Sequence, residues 1–181
     1  GSCGASVFAG NINFATIDNV KVSGAKISSD CEAGILANSI SNSVIKNSEV
    51  TGEIDVMMFV MNSGALASSA SNTQFLNDQC NLTVGFSEFM PFLDMVRGVG
   101  GCVGRSSNSS YVGVHSSGSI DLADSRNMHV MMMGNIGGLI GESYTDAISD
   151  SSSTVSIATN RGDTLGGLIG VANLSTIDRS F

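Results

Sequence analysis

Two five-residue blocks, Gly137-Gly138-Leu139-Ile140-Gly141 and Gly166-Gly167-Leu168-Ile169-Gly170, are identical and stand 29 residues apart. A unit that short cannot bury its own apolar side chains. Repetition at such a period therefore forces neighbouring units to stack and close a core together. Weaker copies run back through the chain: Gly100-Gly101-Cys102-Val103-Gly104, Ser63-Gly64-Ala65-Leu66-Ala67, Ala33-Gly34-Ile35-Leu36-Ala37 and Ser6-Val7-Phe8-Ala9-Gly10. A second anchor holds the register, because Ala15-Thr16-Ile17-Asp18-Asn19 matches Ser175-Thr176-Ile177-Asp178-Arg179 at the same distance after the Gly block. Val44-Ile45-Lys46-Asn47-Ser48 and Ala147-Ile148-Ser149-Asp150-Ser151 fill that slot in other periods. A third anchor is a short alternating strand, as in Val20-Lys21-Val22 and Val155-Ser156-Ile157. The periods are 28, 29, 37, 37 and 29 residues.

Composition says what each period is built from. Ser (30), Asn (15) and Gly (22) supply 67 of the 181 residues, which makes a poor helix former rich in turns. Yet 42% of the chain is hydrophobic, so short apolar strands separated by polar turns are expected. The predicted fold is all-β: a parallel β-helix, or β-solenoid, of about five to six coils of 28–37 residues, running through residues 1–181 as one array. Coils would rise by roughly 4.8 Å, the interstrand spacing. The parallel crossover preference makes the coil right-handed. Gly is expected at corners that need positive φ or close backbone approach. The competing architecture is a β-sandwich with coincident Gly-Gly turns. Neither end shows the polar or helical cap that a solenoid terminus needs, which reads as a segment of a longer chain or a subunit that stacks end to end.

The stretches Gly138-Leu139-Ile140-Gly141 and Gly167-Leu168-Ile169-Gly170, each followed by Ile and a Ser-rich strand, resemble GLUG repeats. Such repeats occur in surface proteins, adhesins and the non-catalytic parts of IgA-cleaving peptidases. The resemblance covers about residues 134–181 and is degenerate before them. It implies an extended extracellular or cell-surface segment and no catalytic residue.

Charge narrows the partners. Eight Lys and Arg against 16 Asp and Glu give a formal net charge of −8, which excludes a basic nucleic-acid binder. No run of 18 apolar residues exists, so no membrane-spanning helix is expected, and no basic start leads into an apolar leader. Protein partners or self-association, through an apolar face or the solenoid ends, remain.

An apolar face is visible in three consecutive periods, within Ile54–Met61, Phe89–Val96 and Met128–Met133. A 37-residue offset aligns Val56, Leu93 and Val130, and also Met58, Met95 and Met132, as one inward strand face. The alternate column, Phe59, Val96 and Met133 with Met57 and Met131, would point outward. Met57, Phe59, Val96, Met131 and Met133 are therefore the expected interaction residues. They would sit either under a loop such as Leu82–Gly98 or against a partner. Phe86, Phe89, Met90, Leu93 and Val96 also fit helical spacing, with Pro91 as a start, but a strand is favoured there.

Four Cys without a C-x-x-C pair argue against a zinc site, and no cofactor is expected. Cys3 and Cys31 are one period apart, so stacking would bring them within disulfide range, with two buried thiols as the alternative. Cys80 and Cys102 occupy different slots and are expected to stay separate in the core. His115 and His129 are the only histidines, and nothing in the sequence sets either beside a nucleophile. Asn-x-Ser/Thr occurs at Asn81, Asn108 and Asn173, three candidates for glycans, of which the last two fall shortly after a Gly block at nearly the same corner. The expected function is non-catalytic: a structural or adhesive segment acting by surface display and protein–protein association, including as a filament subunit. The alternative is a carbohydrate-binding or carbohydrate-acting solenoid, against which the lack of Trp and the presence of only two Tyr both weigh.

Overall fold

A computed structural model describes residues 4–57, 59–86, 93–123, 130–159 and 164–181, with residues 59–61, 93–96 and 130–133 described at the backbone alone. The chain winds through four parallel sheets, each built by taking one strand from successive coils. Sheet I contains Gly4–Ser6, Glu32–Gly34, Phe59–Gly64, Leu93–Gly100, Asn135–Gly137 and Thr164–Gly166, with Val130–Met133 beside Leu93–Gly100. Sheet II contains Ala9–Asn13, Ala37–Ser41, Ala67–Ser71, Val103–Ser107, Ile140–Tyr144 and Ile169–Asn173. Sheet III contains Thr16–Asp18, Val44–Lys46, Gln74–Leu76, Ser110–Val112, Ala147–Ser149 and Thr176–Asp178. Sheet IV contains Lys21–Ser29, Glu49–Val56, Gln79–Phe86 and His115–Leu122, closed by Ser152–Ser153 and Ser156–Thr159. This is the expected parallel β-solenoid, with six coils. Hydrogen-bonded residues on adjacent coils are 28, 30, 36, 37 and 29 apart in sequence, so two of the five expected periods move by one residue.

That one-residue change matters in the apolar stretch. Leu93 pairs with Val130, Met95 with Met132 and Val96 with Met133, as the 37-residue offset predicts. On the other side, Met95 pairs with Phe59 and Val96 with Val60. Phe59 therefore leaves the column of Val96 and Met133, because a slip of one residue exchanges the two faces of a strand. Met57 is half-buried, and its N–H donates to the Ser29 carbonyl at 2.9 Å. The side chains of Phe59, Val96, Met131 and Met133 lie outside the described residues, as do residues 87–92, where the helical spacing fell.

The core is a set of columns. On sheet III, Ile45, Phe75, Tyr111 and Ile148 stack inward in register and are buried. Phe75 and Tyr111 lie face to face, with centroids 4.8 Å apart and planes inclined by 13°. Offset aromatic stacking adds about 1 kcal/mol beyond the area buried. The Tyr111 hydroxyl donates to Ser106 Oγ at 2.7 Å, so the one large polar ring in the core has its partner.

Gly serves close approach rather than positive φ at the Gly blocks. They mark the sharp bend from sheet I to sheet II. A Cβ on Gly137 would meet the Ile140 carbonyl, and one on Gly141 would stand 2.6 Å from both Gly104 O and Val99 N. The positive-φ corners fall elsewhere, in two columns that flank sheet III. The first is Phe14, Asn42, Asn72, Asn108, Thr145 and Leu174; the second is Asn19, Asn47, Asn77, Gly113, Asp150 and Arg179. Asn tolerates this backbone better than any other residue with a Cβ, which explains its prevalence here.

Cys80 and Cys102 form a disulfide, with Cα atoms 5.5 Å apart, so the expectation that they stay separate is corrected. Slot-by-slot reasoning sees only contacts along a column. This bond instead crosses the coil interior, from sheet IV to the bend before sheet II. Both residues are buried, as expected. Cys31 is also disulfide-bonded. Cys3, its expected partner, lies outside the described residues.

Candidate functional site

Residue positions just inside each positive-φ corner carry a hydroxyl or a carboxylate, and these bind the coils together. At the first corner, Ser43, Thr73, Ser109 and Ser175 each donate to the carbonyl two residues back, at 2.6–3.2 Å. Three of these side chains also accept an amide N–H from the preceding coil: Ala15 N donates to Ser43 Oγ, Thr73 N to Ser109 Oγ and Asp146 N to Ser175 Oγ, each at 3.1 Å. The second corner repeats the device with Ser48, Ser151 and Ser180. The buried polar atoms of these corners are thus satisfied by repetition, whereas Asn62 Oδ1 and Ser63 Oγ on sheet I are buried without a partner.

Two carboxylates replace hydroxyls in these columns. Asp78 accepts N–H groups from Ser48 (2.8 Å) and Leu76 (3.2 Å). Burial pushes its carboxyl up to about 6, outweighing the two bonds that favour the charged form. Asp146 accepts the Ser109 N–H at 2.8 Å and the Ser143 hydroxyl at 2.7 Å, and burial raises its carboxyl as well. Burial, with Asp146 nearby, likewise raises the Tyr111 phenol well above its ordinary value.

Outside, equivalent positions line up as polar rungs. On sheet IV, Lys21, Glu49, Gln79, His115 and Ser152 occupy one row. Lys21 pairs with Glu49 at 2.8 Å, and His115 Nδ1 lies 2.8 Å from Ser152 Oγ. Glu49, Gln79, His115 and Ser152, with Thr51, Asn81, Ser117 and Thr154, line a shallow groove of about 260 Å³. This row places a His against a hydroxyl, which sequence spacing did not reveal, since the two are 37 residues apart. Among the described residues no carboxylate bonds the His115 ring, and the pair is solvent-exposed. On sheet II a second depression of about 370 Å³ is lined by Ser39, Ser69, Ser71, Ser107, Arg105 and Tyr144. Arg105 lies 5.2 Å from the Tyr144 ring centroid and 3.7 Å from Glu142.

Among the described residues, the large exposed hydrophobic side chains other than Val112 lie on the first and last coils. Val7 and Phe8 (both 51% exposed) and Phe14 (80%) project from the first coil. Leu165 (53%), Leu174 (90%), Ile177 (48%) and Phe181 (81%) project from the last. Open strand edges of sheets I to III accompany them. Asn81, Asn108 and Asn173 are all exposed. Asn81 sits mid-strand on sheet IV, Asn173 ends a sheet II strand, and Asn108 at the first corner accepts a 2.6 Å hydrogen bond from Thr145.

No group of three or more His, Cys, Asp and Glu able to hold a metal ion occurs among the described residues, and no helix long and apolar enough to cross a membrane occurs among them. No family model, curated protein or solved structure matches the chain.

Proposed function

We propose that this chain is a non-catalytic structural and adhesive β-solenoid segment, acting by surface display and protein–protein association as a GLUG-type array and filament subunit. The observation that carries the reading is a hydrogen-bonded ladder of stacked coils with exposed apolar side chains on its first and last described coils. Exposed hydrophobic surface next to unpaired strand edges is a template for association. The disulfides support an extracellular or cell-surface location, since such bonds persist where the environment is oxidising. Sedimentation velocity and electron microscopy across a concentration series test it. Multi-copy species are expected, and a monomer at every concentration would overturn the reading. Serine substitution of Met57, Phe59, Val96, Met131 and Met133 asks whether association is lateral.

A second reading is carbohydrate binding. The sheet IV groove favours it, because Glu49, Gln79, Asn81, His115 and Ser117 offer donors and acceptors at the regular interstrand spacing. A glycan array with Gln79→Ala and Asn81→Ala controls tests this reading. Binding that both substitutions leave intact would place the sugar elsewhere.

A further inference from the structure

The outer face of sheet II is uneven, and the cause is side-chain size. One row along it reads Ser39, Ser69, Arg105 and Glu142; the next, two residues further on, reads Ser41, Ser71, Ser107 and Tyr144. Positions two residues apart share a strand face. The second and third coils set only serine in these rows, whereas the fourth and fifth add Arg105, Glu142 and Tyr144. Short side chains beside long ones leave the depression of about 370 Å³.

Its polar groups are uncommitted. At the corners hydroxyls are engaged in binding coil to coil, yet those of Ser39, Ser69, Ser71 and Ser107 bond nothing among the described residues. Arg105 is open in the same way. Lys21, Lys26, Lys46 and Arg179 each lie within 3.1 Å of a carboxylate oxygen. Arg105 comes no closer than 3.7 Å to one, from Nε to Glu142, and none of its N–H groups is hydrogen-bonded among the described residues. What orients it is the wall behind it. The guanidinium stands 5.2 Å from the Tyr144 ring centroid. Glu142 is buried and is itself fixed by Asn135 Nδ2 at 2.7 Å and the Tyr144 hydroxyl at 3.4 Å. A guanidinium held from behind presents a planar fork, which matches a carboxylate through two parallel N–H bonds.

We propose that this depression binds a small sugar acid, a single uronate whose carboxylate sits on the Arg105 guanidinium and whose ring hydroxyls meet Ser69, Ser71 and Ser107. A bare oxyanion would leave the serines without partners, and the hollow has the size of a small-molecule site. A neutral sugar would leave Arg105 unmatched. The formal net charge of −8 repels a polyanionic glycan far more than a ligand of one charge. The site lies on a different sheet from the sheet IV groove, and it stands without either reading proposed above.

Titration of the ¹⁵N-labelled chain with glucuronate, followed through amide chemical shifts, tests it. Saturable shifts are expected on Ala67–Ser71 and Val103–Ser107, with a dissociation constant on the order of 1 mM. Glucose, acetate and inorganic phosphate should each bind more weakly than glucuronate. Arg105→Lys keeps the charge but loses the fork and should weaken binding about tenfold. Ser71→Ala removes a hydroxyl that bonds nothing in the chain, so the fold is untouched, and should weaken binding about fivefold. Gln79→Ala on sheet IV should change nothing. The proposal is overturned if glucuronate gives no saturable shifts on sheet II, or if glucose matches it. It is equally overturned if acetate or phosphate binds as tightly, which would make this a bare-anion site. Should Arg105→Lys lower the melting temperature, Ser71→Ala decides alone, and an undiminished affinity there removes the sugar from this face.

Discussion

Asp78 occupies the position that Ser48, Ser151 and Ser180 hold in other coils, and the exchange gives the fold a pH dependence. Its carboxyl titrates at about 6 in the folded chain against an ordinary value of 3.8. Between those values the folded state retains a proton that the unfolded state has released. The stability this group contributes is therefore complete below about pH 3.8 and is lost as pH rises through 6. A shift of that size is worth on the order of 3 kcal/mol. Asp146 is raised by the same cause and adds to the slope. Asp18, held down by Asn47 and Lys46, and Asp150, held down by Arg179, act oppositely, but only below the ordinary carboxylate range. Chemical denaturation should thus show a parent chain more stable at pH 5 than at pH 7.5. Asp78→Ser keeps an acceptor for the Ser48 N–H and should remove most of that difference. A variant with an undiminished slope would shift the origin to Asp146.

At the scale of the element, the two identical Gly blocks are expected to respond differently to the same substitution. A Cβ on Gly138 would run into Gly167 O and Ser153 Oγ, whereas one on Gly167 meets nothing within 4 Å. Gly138→Ala should therefore cost about 1–3 kcal/mol of overpacking, and Gly167→Ala less than about 0.5 kcal/mol, read from thermal melts of the monomer. Equal costs would mean that the bend is conformational and not steric in origin. The Gly blocks were legible as repeats through one column, Gly34, Gly64, Gly100, Gly137 and Gly166, where backbone approaches too closely for a Cβ, whereas the slot of Gly138 holds Ile35 and Ala65 in other coils. The corner columns were less legible, since Asn47 and Asn77 look like ordinary turn residues until the register shows that every coil sets φ positive there. The Cys80–Cys102 bond was invisible to periodic reasoning because it joins different slots. The His115–Ser152 contact was hidden by distance along the chain, and only the register of sheet IV brings the two side chains together. The displaced Phe59 turns on a single residue, the difference between offsets of 36 and 37, which composition cannot signal.

At the scale of the whole molecule, charge and end faces oppose one another. Each copy carries a formal net charge of −8, with a sequence pI near 4.4. Copies that associate therefore repel over a distance comparable to the Debye length, about 10 Å at 0.1 M salt. The exposed side chains of the first and last described coils are mainly apolar, Val7, Phe8 and Phe14 on one and Leu165, Leu174 and Ile177 on the other, and apolar attraction is not screened by salt. Raising sodium chloride from about 10 to about 150 mM should weaken the repulsion and leave the attraction, so the dissociation constant should fall. Lowering the pH from 7 toward 4.4 should act in the same direction through loss of charge, while Asp78 makes each coil stack more stable. The competing carrier is a set of ion pairs, since Asp178 and Arg179 stand on the last described coil and Asp18, paired with Lys46 of the second coil, on the first. A contact held by such groups would dissociate as salt is added, because exposed pairs are screened. Sedimentation at the two salt concentrations separates the cases by sign alone.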